Sequence, residues 1–214
     1  MGKIRFRLAK PSDAKQIANV HLHIRDKYDK GFFAQVNYAF LVQYYKVVLN
    51  DPCEVVVCAE NEEGRVVGFS SGSLDAERQM KNLRKHKLSF VLPLLTSAIC
   101  NPNLIKNAID RLKSTKGESD NQYISSKGAR LEFWAWLPEV KCSDESVVMQ
   151  DMLLKTMETL GTEKVYFEVD DTNKNVMRFH KFNGACVTHQ FRLPDGRTRF
   201  EMYYDLTEYA YSYL

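Results

Sequence analysis

Apolar and polar residues alternate from Ile4 to Leu8, where Arg5 and Arg7 separate Ile4, Phe6 and Leu8, so the chain opens on a half-buried strand. Pro11, Ser12 and Asp13 then begin a helix, proline being suited to a first helical turn, and Ile17, Val20 and Ile24 recur along its inward face. A second helical pattern, crowded with aromatics, runs from about Phe32 to Leu49 and ends at Pro52. Glu54 to Ala59 and Arg65 to Ser73 are β-rich runs joined by Asn61-Glu62-Glu63-Gly64, which is turn chemistry for a hairpin. Gly68 and Gly72 stand inside the second run, where glycine marks a bulge or the close approach of another group.

From Ala76 to about Ser114 the pattern is helical again. Lys81, Arg84, Lys85 and Lys87 precede the apolar segment Leu88 to Ile99, which Pro93 interrupts. Because basic and apolar residues are blocked in sequence, a helical insertion covering the sheet or the active site is expected ahead of a membrane-surface helix. Thr115 to Lys127 is polar and reads as a loop. In the strand Ala129 to Leu137, strict alternation puts Arg130, Glu132, Trp134 and Trp136 on one face and Leu131, Phe133, Ala135 and Leu137 on the other. Val165, Phe167 and Val169 alternate with polar neighbours in a further strand. A helix follows, with Asn173 at its cap, Val176, Phe179 and, one turn on, Phe182 or Asn183 at helical spacing, and Gly184 at its stop. Gly184 to Leu193 and Thr198 to Leu206 flank Pro194-Asp195-Gly196 as a last hairpin.

Composition narrows the class without choosing a function. A chain of 214 residues, 44% hydrophobic and 27% charged, suits one soluble globular domain, 1–214, carrying an insertion at 75–127. Its net charge of +3 is too small to call for nucleic acid. Five cysteines without a C-x-x-C pair read as free thiols in a reducing compartment. No apolar run follows Met1, and Leu88 to Cys100 is shorter than the roughly 20 residues that span a bilayer, so a cytoplasmic location is expected.

The run Asn173, Val176, Phe179, His180, Gly184, Ala185, coming directly after a buried strand, resembles the strand-helix signature of the GNAT N-acetyltransferase superfamily. The opening at Pro11-Ser12-Asp13-Ala14 and the run Val67-Gly68-Phe69 are similar to that family's first turn and third strand. The resemblance implies an α/β fold, with a mixed, twisted sheet of about seven strands flanked by helices and a helical insertion between the third and fourth strands. It implies an acyl-CoA-dependent N-acyltransferase, using acetyl-CoA or another acyl-CoA on a small amine, an amino sugar being one candidate acceptor. Trp134, Ala135 and Trp136 then correspond to the strand that pairs with pantetheine. Asn173 joins the coenzyme site, Glu132 is the candidate base, and His180 the candidate acid. A homodimer stays open as a partner, whereas nucleic acid, a membrane surface and a metal are not expected.

Three departures from the family pattern matter. His180 stands where the family usually has a tyrosine that protonates the departing thiolate; an imidazole can do the same near neutral pH, but a solvent-facing helical histidine needs no role. Arg130 occupies the usual glutamate position, with Glu132 two residues on, and the two could also be a plain ion pair. The loop that should hold diphosphate, Lys141 to Ser146 with Ser143 among its candidates, has no glycine, and none occurs from Pro138 to Leu160. Asp144 and Glu145 stand where backbone N–H groups should meet phosphate, and they satisfy the helix dipole themselves. The competing expectation is therefore a GNAT-fold binding or assembly module that has lost its coenzyme site.

Overall fold

The computed structural model describes residues 3–25, 32–100, 104, 128–140, 143–193 and 196–214. The loop expected at Thr115 to Lys127 lies outside them, as do Lys141 and Cys142.

Strand β1 (Arg5–Leu8) leads through a 3-10 turn at Pro11–Asp13 into α1 (Ala14–Ile24). Arg7 fixes that junction by pairing with Asp13 at 2.6 Å and Glu60 at 2.7 Å. The second helical pattern is not one helix but two, α2 (Phe32–Gln35) and α3 (Tyr38–Val48). The break falls where Asn37 turns extended and its side chain accepts the Phe40 N–H at 3.0 Å, so a cap inside the pattern stops one helix and starts the next.

Strands β2 (Glu54–Glu60) and β3 (Val66–Ser73) form the expected hairpin, with Gly64 at φ +74° in its turn. The insertion contributes α4 (Ala76–Lys85) and α5 (Lys87–Cys100). Then come β4 (Ala129–Trp136), α6 (Ser143–Thr159), β5 (Lys164–Asp170), α7 (Lys174–Phe182), β6 (Cys186–Arg192) and β7 (Thr198–Asp205). The strands make one seven-stranded sheet in the order β1-β2-β3-β4-β5-β7-β6. Every neighbouring pair is antiparallel except β4 and β5, the pair joined by the α6 crossover.

Helices cover both faces. On one, Phe69 and Phe133 pack against His21 of α1, and Phe133 also meets Tyr44 of α3. On the other, Ser70 donates a hydrogen bond to Gln150 of α6, while Trp134 and Phe167 meet His180 of α7. The buried set draws on both layers, Ile17, Leu41 and Tyr45 from one and Met149, Leu153 and Met157 from the other. The tail closes onto the second layer, where the Tyr209 hydroxyl donates to buried Asp151 at 2.7 Å. No helix among the described residues is long and apolar enough to cross a membrane.

Both strand glycines are required by close approach. A Cβ on Gly68 would overlap the Trp136 ring, and one on Gly72 would lie 2.9 Å from the Arg130 carbonyl oxygen and 2.9 Å from Met157 Sδ. Backbone cannot yield as a flexible side chain can. Gly72→Val is therefore expected to cost about 2–3 kcal/mol, read as a fall in Tm of roughly 4–12 °C, and an unchanged Tm would refute this packing account.

Candidate active site

The sheet is interrupted at its centre. Strands β4 and β5 pair only at Ala129↔Val165 and Arg130↔Tyr166, although β4 continues to Trp136 and β5 to Asp170. Beyond Arg130 they part, and the β5-facing backbone groups of β4 make no ladder with their neighbour. A wedge opens there.

The same stretch of β4 carries a bulge. Ser70 pairs with Trp134 but Gly72 pairs with Leu131, so three steps on β4 oppose two on β3. The Ser71 hydroxyl fills the gap, accepting the Phe133 N–H at 3.2 Å. Strict alternation therefore fails within the strand. Leu131, Trp134 and Trp136 share the α6 face, as their partners Gly72, Ser70 and Gly68 show, while Arg130, Glu132 and Phe133 lie on the α1/α3 face. The sequence expectation that Glu132 and Trp134 share a face is corrected by this extra residue.

On the α6 face, the Trp134 indole N–H donates to the Ser146 carbonyl at 3.1 Å, which ties the strand to the first turn of α6. Its ring lies 5.2 Å from Phe179 and 6.2 Å from His180. Trp136 Nε1 is buried without a hydrogen-bond partner. His180 is 5% exposed, so the solvent-facing reading of this residue does not hold. Its Nδ1 lies 2.7 Å from the Tyr204 hydroxyl, and burial pushes its pKa down to about 4. The ring is neutral at pH 7.

On the α1/α3 face, Arg130 Nε approaches Glu132 Oε1 at 2.7 Å without hydrogen-bond alignment, leaving those atoms and Arg130 Nη1 buried and unsatisfied. Beside them Glu54, the first residue of β2, accepts from the Ser73 hydroxyl at 2.7 Å and from Gln79 of α4 at 2.8 Å. Burial outweighs those donors and, with Glu132 nearby, pushes the Glu54 carboxyl up to about 8. His21 completes the wall, its Nδ1 lying 2.7 Å from the Tyr45 hydroxyl and its pKa pushed down to about 4 by burial.

Asn173 is the N-cap residue of α7, yet its side chain makes no capping hydrogen bond. Asp144 and Glu145 occupy the first turn of α6, as the sequence led one to expect. The structure brings Trp134, Ser146 and His180 together and leaves Glu132 across the sheet from them. Lys141 is outside the described residues, and of Ser143 only the backbone is described.

No family model matches the sequence, and no curated protein matches it. Solved structures do match its shape. A GNAT-family acetyltransferase from Bacillus cereus superposes with a TM-score of 0.56 at 11% identity, over 95% of this chain and 98% of that one. A spermidine N-acetyltransferase chimera of Vibrio cholerae SpeG and hSSAT gives 0.58 at 14% identity, over 96% and 97%. The chain has the GNAT fold. Arabidopsis thaliana NAA60, solved in complex with acetyl-CoA, matches at 0.55 with 14% identity, over 94% and 98%.

Within this GNAT fold, the sequence missed Glu54 and Tyr204. A signal for Glu54 was present: it opens the run Val55-Val56-Val57-Cys58-Ala59, which is apolar at every position, so a carboxyl there enters a strand covered on both faces. Tyr204 gave none, since a tyrosine in a β-rich run has ample reason to be core.

Proposed function

We propose that the chain is an acyl-CoA-dependent N-acyltransferase that acetylates a small amine, with the wedge between β4 and β5 as its coenzyme site. The parting of these strands beyond Arg130 carries the reading. An extended thioester arm needs a strand edge with free backbone groups, and this sheet presents one at its centre. Trp134 to Trp136 supply that edge, and the unpartnered Trp136 indole N–H is a further donor beside it. Bound there, acetyl-CoA supplies the activated acyl group.

The wedge lets the two faces meet, so groups on opposite sides of the sheet can serve one reaction. Glu132, on the α1/α3 face, is the base that takes a proton from the acceptor ammonium, leaving the amine free to attack. The β5-facing backbone N–H groups of β4 beyond Arg130 are the candidates to hold the charge that develops on the carbonyl oxygen. His180 acts on the other face as a neutral donor. When the Tyr204 hydroxyl donates a hydrogen bond to Nδ1, the imidazole carries its own proton on Nε2 and hydrogen-bonds the departing thiolate without giving that proton up; the thiol proton comes from the acceptor nitrogen as the amide forms, which corrects the expectation of His180 as the acid. The acceptor is a primary amine, and amino sugars and polyamines are the first to try. Free thiols at Cys53, Cys58 and Cys186 accord with a cytoplasmic setting.

A second reading is favoured by α6, whose first turn carries Asp144 and Glu145 instead of glycines and so fits a diphosphate poorly. In that case the fold is a binding or assembly module without coenzyme. A thiol-release assay with acetyl-CoA and a panel of primary amines tests the enzyme reading. Amine-dependent release above the background hydrolysis rate is expected, and no release with any amine would favour the module.

A further inference from the structure

Helix α5 is apolar nearly all round, a pattern that normally belongs to a fully buried helix. Among the described residues, only one side is covered. The Phe90 ring lies tilted 5.3 Å from Phe40 of α3, Ser89 meets Gln43, and Thr96 and Ser97 meet Asn37. Leu88, Val91, Leu92, Leu95 and Ile99 recur at three- and four-residue steps on the side turned away from α3. Leu88, Leu92 and Ile99 are 78%, 71% and 81% exposed. Five large aliphatic side chains in one continuous stripe are a patch, not scattered surface residues.

Charge indicates what covers it. From Arg78 to Cys100 the chain carries Arg78, Lys81, Arg84, Lys85 and Lys87 and neither Asp nor Glu. Lys85 and Lys87, both exposed, stand at the N-terminal end of the stripe. The lysines that precede the apolar run thus stand, exposed, at one end of an aliphatic stripe. A second copy docked through this face would cover the stripe but offer Lys85 and Lys87 no acidic partner from its own Arg78 to Cys100, which gives self-association no charge complementarity. A bilayer rich in anionic lipid takes both features, its acyl boundary receiving the side chains and its headgroups the lysines.

We propose that the outer face of α5, with Lys85 and Lys87, docks the protein onto an anionic lipid bilayer. The inference is independent of the transfer reaction, since none of these residues belongs to the wedge. The test is co-sedimentation of the full chain with sucrose-loaded vesicles of phosphatidylcholine alone or mixed with phosphatidylglycerol. Partition is expected to be about tenfold or more stronger with the anionic vesicles, and to weaken as salt rises. The double variant Leu92→Ser/Ile99→Ser is expected to lose at least about tenfold in partition with its Tm held, and Lys85→Glu/Lys87→Glu is expected to lose the preference for anionic lipid. No sedimentation with anionic vesicles, or sedimentation indifferent to Leu92→Ser/Ile99→Ser, overturns the proposal. So does a concentration-dependent dimer in sedimentation velocity that this variant abolishes, because the stripe would then belong to a second copy.

Discussion

Replacing Glu132 with Gln is expected to lower kcat for amine acetylation by about 10²- to 10³-fold, with KM for acetyl-CoA changed less than about threefold. The amide keeps the size of the side chain and removes the proton acceptor. Its position supports this split, because Glu132 lies on the α1/α3 face and the proposed coenzyme contacts lie on the other. Arg130 loses its charged partner in the variant, so a melting curve must accompany the kinetics. Glu132→Asp should recover part of the rate, which a purely structural role for the ion pair would not require. A fall of less than about threefold in a folded variant would move the base elsewhere on this face, with Glu54 first in line.

The second large effect is on stability against pH. His21 and His180 are buried with pKa values pushed down to about 4, whereas an unfolded histidine titrates near 6.5. Below pH 6.5 the unfolded chain takes up protons that the folded chain refuses. Their contribution is complete above that pH and is lost as pH falls toward 4, on the order of 3 kcal/mol for each residue. Glu54 works in the opposite direction. Its folded carboxyl, pushed up to about 8, keeps its proton while an unfolded glutamate ionises near 4.5, so that contribution is complete at low pH and is lost as pH rises toward 8. Stability should therefore peak at about pH 6–7 and fall on both sides. Urea unfolding at pH 4.5, 6.5 and 8 measures both limbs. Glu54→Gln should remove the alkaline decline and leave the acid one, and an alkaline decline that survives the substitution would show that Glu54 is not its source.

What could be read in advance follows from where the rules of periodicity apply. Alternation in Val165 to Asp170 and the three-and-four spacing of Ile17, Val20 and Ile24 place those residues correctly, because both elements are regular and half covered. The β4 strand misleads by the same rule, since one extra residue turns Trp134 away from Glu132 and its cause is the Ser71 hydroxyl of a neighbouring strand. The helix expected from Phe32 to Leu49 fails for a local reason that was legible, a capping asparagine at position 37. At His180, the helix itself is read correctly, but whether its histidine meets solvent or Tyr204 depends on strands distant in sequence. Of the two residues that the spacing offers one turn beyond Phe179, Phe182 is exposed and Asn183 half-buried, because α7 ends there. The acidic first turn of α6 is the feature that sequence and structure describe alike, and it bears most on whether a diphosphate can be held.

Calorimetric titration of the full chain with acetyl-CoA tests that question most directly. An active wedge predicts saturable heat at one site with a Kd in the micromolar range, and competition by coenzyme A. Asp144→Asn/Glu145→Gln should tighten binding several-fold, since a first turn without carboxylates no longer repels diphosphate. No heat at millimolar acetyl-CoA, from a protein whose melting curve shows it folded, would contradict the coenzyme site and leave the fold as a scaffold for another purpose.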